Sequence, residues 1–309
     1  LKSVQNDDGS WSPKPGPAVT ALVVAAMLDQ RDINASDPAV INCIEYILSK
    51  AQPAGGIHDG ILYNYNTAIC LSTLARVNDL PGVSQVIERG EAYLRGLQWS
   101  SQPEMETGGT VDQSHPFWGG FGYGKHGRPD GSNTYMAVQA FADMGVDCTD
   151  PAVQRALAFV SRLQGTPSNE MFADRNEPDG GSIYATTVDK DNMDTPQSQA
   201  GEITGEDGVT RLRTYGSMTY AMFRTYIYAQ LPNDDPRVVD AVKWISNNYT
   251  LEHNPGMPDD RNMQGYYYYL VTFSRAMKSW TGSQTIFVTA DGQTRNWGND
   301  LVAKVVSLQ

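Results

Sequence analysis

Two kinds of apolar segment alternate along the chain. In the first kind, apolar residues occupy nearly every position, and a helix without a polar face has to be surrounded by protein. Five segments have this pattern, at residues 18–28, 65–74, 134–141, 218–228 and 266–273. They predict five buried helices, which are spread over the whole length of the chain.

The second kind of segment is amphipathic and starts with a shared motif. An Asp-Pro-x-Val sequence occurs at residues 37–40, 150–153 and 235–238, and a degenerate copy lies at residues 80–83. An Asp that precedes a helix accepts hydrogen bonds from the first free amides, and a Pro at the first helical position lacks an amide that would have no partner. The motif therefore predicts the starts of half-exposed helices, each of which follows one buried helix.

Glutamine ends several of these amphipathic segments. Gln52, Gln98 and Gln164 lie at such ends, and both ends of the chain have a similar sequence, at Gln5 and Gln309. A buried helix followed by a half-exposed one, repeated about five times, predicts an all-α fold with two helical layers. Only residues 285–289 have the pattern of a strand. We expect one domain over residues 1–309, with long loop insertions near residues 99–129, 165–213 and 281–297.

Glycine-rich turns after the glutamines carry a family resemblance. Residues 5–11 read Gln-Asn-Asp-Asp-Gly-Ser-Trp, and Gly-Gly pairs occur at residues 55–56, 119–120 and 180–181. These turns resemble the QW repeats of squalene–hopene cyclases and related terpene cyclases and prenyltransferases. The resemblance implies an α/α-toroid of six helical hairpins around a central cavity, with the QW turns as staples between outer helices. Five hairpins are recognisable here, so the ring would be open, or a sixth inner helix would lie beyond Gln309.

The same resemblance points to a missing acid. Squalene–hopene cyclases protonate an alkene with an Asp in a D-x-D-D-T motif at the start of an inner helix, and residues 130–134 here read D-G-S-N-T. Asp130 and Thr134 match the motif, but Ser132 stands at the proton-donating position and Asn133 beside it. Neither a hydroxyl nor an amide is acidic enough to protonate an alkene. The resemblance thus implies a cavity for an isoprenoid or other apolar ligand without the usual acid.

The loops that precede the five buried helices are expected to meet at one mouth of this cavity. The candidate catalytic residues are Asp130, Arg213 and Tyr215. The candidate substrate-binding residues are Asn64, Asn66, Asn133, Tyr135, Arg211, Gln264, Tyr266 and Tyr268. Tyrosine rings could stabilise a cation, but the tyrosines at residues 266–269 cover a full helical turn and cannot all face inward. Helix capping and core packing are the alternative roles for these residues.

The composition of the chain excludes some classes of binding partner. The net charge of −12 argues against nucleic acid and against anionic membrane surfaces, and no apolar run is long enough to span a bilayer. Three cysteines cannot all pair, and we expect Cys43 and Cys70 to be buried free thiols. No cofactor is expected, and the oligomeric state stays open. The low content of Lys and Arg suits an exported bacterial protein without establishing the compartment.

Two metal-like motifs are incomplete. Asp147 and Cys148 offer part of the zinc site of prenyltransferases, but none of His58, His115, His126 and His253 has zinc-ligand spacing. Residues 189–194 begin like a calcium loop, yet they lack the glycine and glutamate of an EF-hand. Three functions stay open: an isoprenoid-handling enzyme, a non-catalytic toroid that binds a ligand or a protein, and a polysaccharide-acting α/α enzyme.

Overall fold

A computed structural model of the chain describes residues 1–12, 14–101, 109–124, 127–169, 171–187 and 197–309. Helices make up 46% of the described residues and strands 7%, which agrees with the predicted helix-rich fold. Contacts between Cα atoms divide the chain into two compact units. The first unit comprises Leu1–Pro129 and Met136–Val153, and the second comprises Asp130–Tyr135 and Gln154–Gln309. A single domain over residues 1–309 stays a prediction.

Ten α-helices alternate in the described residues as the apolar pattern predicts. The five predicted to be buried are α1 (Ala18–Leu28), α3 (Tyr63–Leu74), α5 (Gly131–Asp143), α7 (Gly216–Tyr228) and α9 (Tyr266–Thr281). The five amphipathic ones are α2 (Pro38–Ser49), α4 (Val83–Gly96), α6 (Pro151–Ser161), α8 (Pro236–Asn247) and α10 (Trp297–Ser307). Short 3₁₀ turns lie at Lys2–Val4, Ala75–Val77 and Asp259–Arg261.

The five helices that were predicted to be buried differ in how much of their surface meets solvent. Nearly every residue of α7 is buried, and α3 is similar. By contrast, Val19 of α1 is 37% exposed and Tyr267 of α9 is 71% exposed. Since α1 packs against α2 and α3, and α9 against α7 and α10, one face of each meets solvent. The prediction that protein surrounds every buried helix is therefore wrong for α1 and α9.

The helix starts confirm the role of the Asp-Pro motif. In all three copies, the Asp carboxylate accepts a hydrogen bond from the backbone amide two residues later, and the helix begins at the Pro. The bonds measure 3.0 Å from Ala39 to Asp37, 2.8 Å from Ala152 to Asp150 and 3.0 Å from Arg237 to Asp235. The degenerate copy also starts a helix, α4, but without a side-chain cap.

A glutamine side chain joins each of these three starts to an earlier turn. Gln5, Gln98 and Gln164 each donate two hydrogen bonds through Nε2, to a glycine carbonyl of the following turn and to the second residue of an Asp-Pro helix. The acceptors are Gly9 and Ala39 for Gln5, Gly119 and Ala152 for Gln98, and Gly180 and Arg237 for Gln164, all at 2.9–3.0 Å. We call this arrangement the glutamine staple. Gln52 differs, because its side chain donates only within its own loop, to the carbonyls of Lys50 and His58.

A threonine in the next buried helix holds the glycine turns after Gln5, Gln52 and Gln164, and the sequence analysis missed it. The hydroxyl oxygens of Thr20, Thr67 and Thr219 each accept a backbone amide two residues after the turn glycine. The donors are Trp11, Ile57 and Ser182, at 3.1, 3.0 and 3.0 Å respectively. A threonine inside an apolar helix is thus a repeated structural contact between a turn and a helix.

Two small antiparallel hairpins complete the described structure. They consist of β1 (Glu202–Thr204) with β2 (Thr210–Leu212), and β3 (Ile286–Val288) with β4 (Thr294–Asn296). Ile203 pairs with Arg211, and Phe287 pairs with Arg295. The strand predicted at residues 285–289 is confirmed, whereas β1, β2 and β4 were not predicted. Three-residue, largely exposed strands leave no alternation to detect, and the Asp-Gly pairs of the two turns, at residues 207–208 and 291–292, were the local signals.

Candidate functional site

Asp130 lies immediately before α5 and is fully buried. Its Oδ1 accepts the backbone amide of Asn133 at 2.8 Å, and its Oδ2 accepts the Asn133 side-chain amide at 2.8 Å. The first of these bonds is the usual bond of a helix-capping aspartate. Both carboxylate oxygens therefore act as acceptors, and helix capping is confirmed for this pair of residues. A catalytic role for Asp130 stays a prediction.

Ser132 occupies the position that the family motif gives to the proton donor. Its hydroxyl lies 3.0 Å from the hydroxyl of Tyr268, which is half-buried on α9. Neither group is a carboxyl, so this contact supplies no carboxylic acid. The start of α5 and the first turn of α9 are thereby joined by side chains.

Tyr215 is the residue that precedes α7, and its side chain is 3% exposed. Burial, with smaller contributions from neighbouring Tyr268 and Asp130, raises the pKa of this phenol well above its usual value. The hydroxyl therefore keeps its proton. Among the described residues, none forms a hydrogen bond with it.

Apolar and aromatic side chains surround Tyr215. It packs in a buried cluster with Ala200, Met218 and Met257, against which Tyr184 and Tyr268 lie partly buried. A Cβ on Gly131 would lie 3.3 Å from the Met218 sulfur, so α5 approaches α7 closely at this point. We call Ser132, Tyr215, Met218, Met257 and Tyr268 the aromatic site. It joins the first turns of α5, α7 and α9, and a cavity mouth formed by the helix starts stays a prediction.

Other predicted residues of the second unit have structural partners. The Tyr135 hydroxyl accepts a hydrogen bond from Arg224 at 2.9 Å, and the Tyr266 hydroxyl donates to the Leu251 carbonyl. Arg213 donates through Nε to the Glu202 carbonyl at 3.1 Å. Gln264 is exposed, and its carbonyl accepts the Asn254 amide at 3.1 Å. The proposed roles of these four residues in ligand chemistry stay predictions.

Asn64 and Asn66 belong to the first unit, on α3, and both are buried. Asn66 accepts the backbone amide of Ala18 at 3.1 Å and donates to the carbonyls of Pro15 and Ile61 at 3.2 and 3.0 Å. It thus fastens the chain before α1 onto the start of α3. Substrate binding by either asparagine stays a prediction.

Asn254 has a similar structural role beside the aromatic site and was missed from the sequence. It is 1% exposed, accepts the Ser217 amide at 3.0 Å and donates to the Ser217 hydroxyl at 3.3 Å. With its bond to Gln264, it links the start of α7 to the residues before α9. The turn sequence Asn254-Pro255-Gly256 was the available signal.

Arg211 lies in an open cleft of about 290 Å³ beside the β1–β2 hairpin. The lining residues are Glu177, Pro178, Ile203, Gly205, Glu206, Asp207 and Arg211. Arg211 forms two hydrogen bonds with the Asp207 carboxylate, at 3.1 and 2.8 Å. Burial and the nearby Asp179 raise the pKa of Glu177, against the opposing effect of Arg213 and Arg211. The cleft is thus acidic and polar, in contrast to the aromatic site.

The described residues contain neither a metal-binding cluster nor a membrane-spanning helix. No group of three His, Cys, Asp or Glu side chains that could hold a metal ion is found in that part of the chain. The calcium-like residues 189–194 and His126 lie outside the described ranges.

Cys43 and Cys70 are buried free thiols, as predicted, and burial raises the pKa of Cys43 to about 12. No helix in the described ranges is long and apolar enough to cross a membrane.

Comparison with known proteins adds no family assignment. No protein-family model matches the chain, and no curated protein matches it significantly. The resemblance to terpene cyclases and prenyltransferases therefore rests on the turn motifs and on the order of the helices, and it stays a prediction.

Proposed function

We propose that this chain is an α/α-toroid of the squalene–hopene cyclase and prenyltransferase type that binds an isoprenoid or similar apolar ligand without protonating it. The observation that carries the proposal is the hydroxyl contact between Ser132 and Tyr268 at the start of α5. Ser132 is the residue that the resemblance aligns with the family's proton donor, and this contact supports the proposal because neither of its two groups is a carboxylic acid.

The repeated helix contacts favour the toroid. Each of three glutamine staples joins a glycine turn to an Asp-Pro helix with the same two bonds, and each occurs within one unit. A contact that recurs with the same geometry gives the helix pairs similar relative positions. A closed or nearly closed ring is the arrangement that the family resemblance adds to this repeat.

The lining of the aromatic site favours an apolar ligand. Tyr215, Met218 and Met257 present a phenol ring and two thioether chains, which are large, apolar and adaptable surfaces. Ligand sites of this kind combine mostly apolar walls with a few polar groups that orient the ligand. Tyr215, Ser132 and Tyr268 supply those polar groups here.

The state of Asp130 favours binding over cyclisation. Each of its oxygens accepts a hydrogen bond from Asn133, so both oxygens are engaged at the start of α5. An alkene needs a strong proton donor, and a carboxylate held as an acceptor is a poor one. The proposal thus retains the cavity of the family and omits its initiating step.

Native mass spectrometry of the protein with farnesol, a C15 isoprenoid alcohol, tests this proposal. We expect one farnesol per chain for the wild type. The Ser132→Phe variant should lose at least about 10-fold in affinity, because the added ring would displace the half-buried Tyr268, whose hydroxyl lies 3.0 Å from that of Ser132. The Ser307→Phe variant, which adds the same ring at the exposed end of α10, should bind as the wild type does.

Cellohexaose in the same experiment separates the proposal from the polysaccharide alternative. If the protein retains cellohexaose and does not bind farnesol, the isoprenoid proposal is wrong and a carbohydrate ligand takes its place. Equal farnesol binding by the wild type and the folded Ser132→Phe variant would show that the ligand does not bind at the aromatic site. Thermal unfolding monitored by circular dichroism establishes that both variants are folded.

A further inference from the structure

We infer that the guanidinium of Arg224, on α7, binds a small oxyanion, either a phosphate or a carboxylate group. Arg224 lies about 12 Å along the axis of α7 from the first residue of that helix, Gly216. The inference therefore concerns a different site from the aromatic one, and it does not depend on the proposed function.

Three neutral groups hold the Arg224 side chain. Its Nη1 donates to the Tyr135 hydroxyl of α5 at 2.9 Å, and its Nε donates to the Ser279 hydroxyl of α9 at 3.3 Å. The guanidinium also lies over the ring of Tyr228, 4.8 Å from the ring centroid. Side chains of α5, α7 and α9 thus fix the position of this cation, and none of them brings a negative charge.

The direction of these bonds leaves donors on Arg224 unused. A guanidinium has N–H donors and no acceptor, so both hydroxyl oxygens accept from it. The Ser279 hydroxyl gives its own proton to the Arg275 carbonyl at 3.0 Å. A guanidinium carries more N–H groups than two bonds use. Because Arg224 is only half-buried, its remaining N–H groups can meet a dissolved ligand.

No carboxylate of the described residues compensates for the charge of Arg224, because the ion pairs found there all involve other cations. Neither α7 nor α9 contains an Asp or a Glu, although acidic residues outnumber basic ones in the chain by 35 to 23. Next to Ser279, α9 adds the exposed Lys278, which is also outside those ion pairs. A half-buried cation without a counter-ion is unfavourable, and a bound anion would supply the missing charge.

The shape of the guanidinium indicates the class of anion. Its parallel N–H groups match two oxygens of one carboxylate or phosphate, whereas a chloride ion offers a single acceptor. Phosphate carries more negative charge than a carboxylate near neutral pH, and Lys278 adds a second positive charge at the same end of α9. We therefore expect phosphate to bind more tightly than a carboxylate.

Titration of the protein with inorganic phosphate and with acetate tests the inference. The arginines carry an isotope label, and sodium chloride keeps the ionic strength constant, so the Nε–H signal of Arg224 in an NMR spectrum reports binding beyond general screening. We expect a saturable shift with a dissociation constant of about 1–10 mM for phosphate, and weaker binding of acetate. Tighter binding of acetate would support the oxyanion site and assign it to carboxylates. The absence of a saturable shift with either anion would overturn the inference.

The Arg224→Gln variant removes the charge and is expected to bind phosphate at least about 10-fold more weakly, as followed by the phosphorus NMR line width. Arg31→Gln is the matched control, because Arg31 is exposed and belongs to none of the ion pairs of the described residues. It should bind as the wild type does. Tyr135→Phe keeps the charge and removes the hydroxyl that positions it, so we expect a loss of about 3-fold or more.

Equal phosphate binding by the wild type and the folded Arg224→Gln variant would overturn the inference, and so would equal losses in Arg224→Gln and Arg31→Gln, which would indicate an effect of net charge alone. Circular dichroism establishes that the variants are folded. If Arg224→Gln does not fold, unchanged phosphate binding by Tyr135→Phe overturns the inference instead. Each of these results would leave the proposed binding of farnesol standing.

Discussion

Replacing Gln164 with alanine is expected to lower the free energy of unfolding by about 3–5 kcal/mol. The buried Gln164 side chain donates to the carbonyls of Gly180 and Arg237 at 3.0 and 2.9 Å, and it accepts the Tyr226 hydroxyl at 3.1 Å. Alanine would leave all three partners buried without their bonds, at about 1–3 kcal/mol for each group. Urea unfolding followed by tryptophan fluorescence measures the change.

Gln52→Ala is the matched control for this prediction. The Gln52 side chain donates only within its own loop, to the carbonyls of Lys50 and His58, and it is half-buried. Water can replace such bonds, so the expected loss is about 1 kcal/mol or less. If Gln52→Ala and Gln164→Ala lower the free energy of unfolding equally, the long-range staple stabilises the fold no more than bonds within a loop do.

The Gly180→Ala variant is expected to lose about 3 kcal/mol or more. Gly180 has a φ of +89°, and an added Cβ would lie 2.3 Å from the Asp240 carbonyl oxygen in α8. A left-handed backbone costs alanine about 1–2 kcal/mol, and displacement of the helix backbone adds about 1–3 kcal/mol. The same urea titration measures this loss of unfolding free energy. The Gly180 carbonyl is also an acceptor of the Gln164 staple.

The Gly208→Ala variant separates the cost of backbone strain from the cost of the close contact with α8. Gly208 has a φ of +75° in the β1–β2 turn, and nothing lies within 4 Å of an added Cβ. Its substitution should therefore cost only the backbone strain, about 1–2 kcal/mol. If Gly180→Ala and Gly208→Ala lose the same stability, the close approach of the turn to α8 is unimportant.

The helices were predictable because their signals are local. Apolar residues without a polar face located α7, and an Asp-Pro pair located the start of α8 within the chain. The partners of these elements were not predictable in the same way. Nothing near Gln164 in sequence indicates that its amide reaches Arg237, and nothing near Thr219 indicates a bond with Ser182.

The candidate site was predictable in part for the same reason. Asp130, Tyr215 and Tyr268 lie at the starts of helices that the repeat pattern located. Arg211 lies in a hairpin within a long insertion, where no periodicity fixes its direction, and it faces an acidic cleft. Asn254 was missed because a buried asparagine in a loop resembles any turn residue.

Photolabelling with a diazirine analogue of farnesol tests the central claim, that the aromatic site holds an apolar ligand, most directly. Illumination followed by peptide mass spectrometry should place the label on Tyr215, Met218, Met257 or Tyr268, and excess farnesol should remove it. Label on the cleft that contains Glu177 and Arg211, or label on the aromatic site that farnesol does not remove, would contradict the claim.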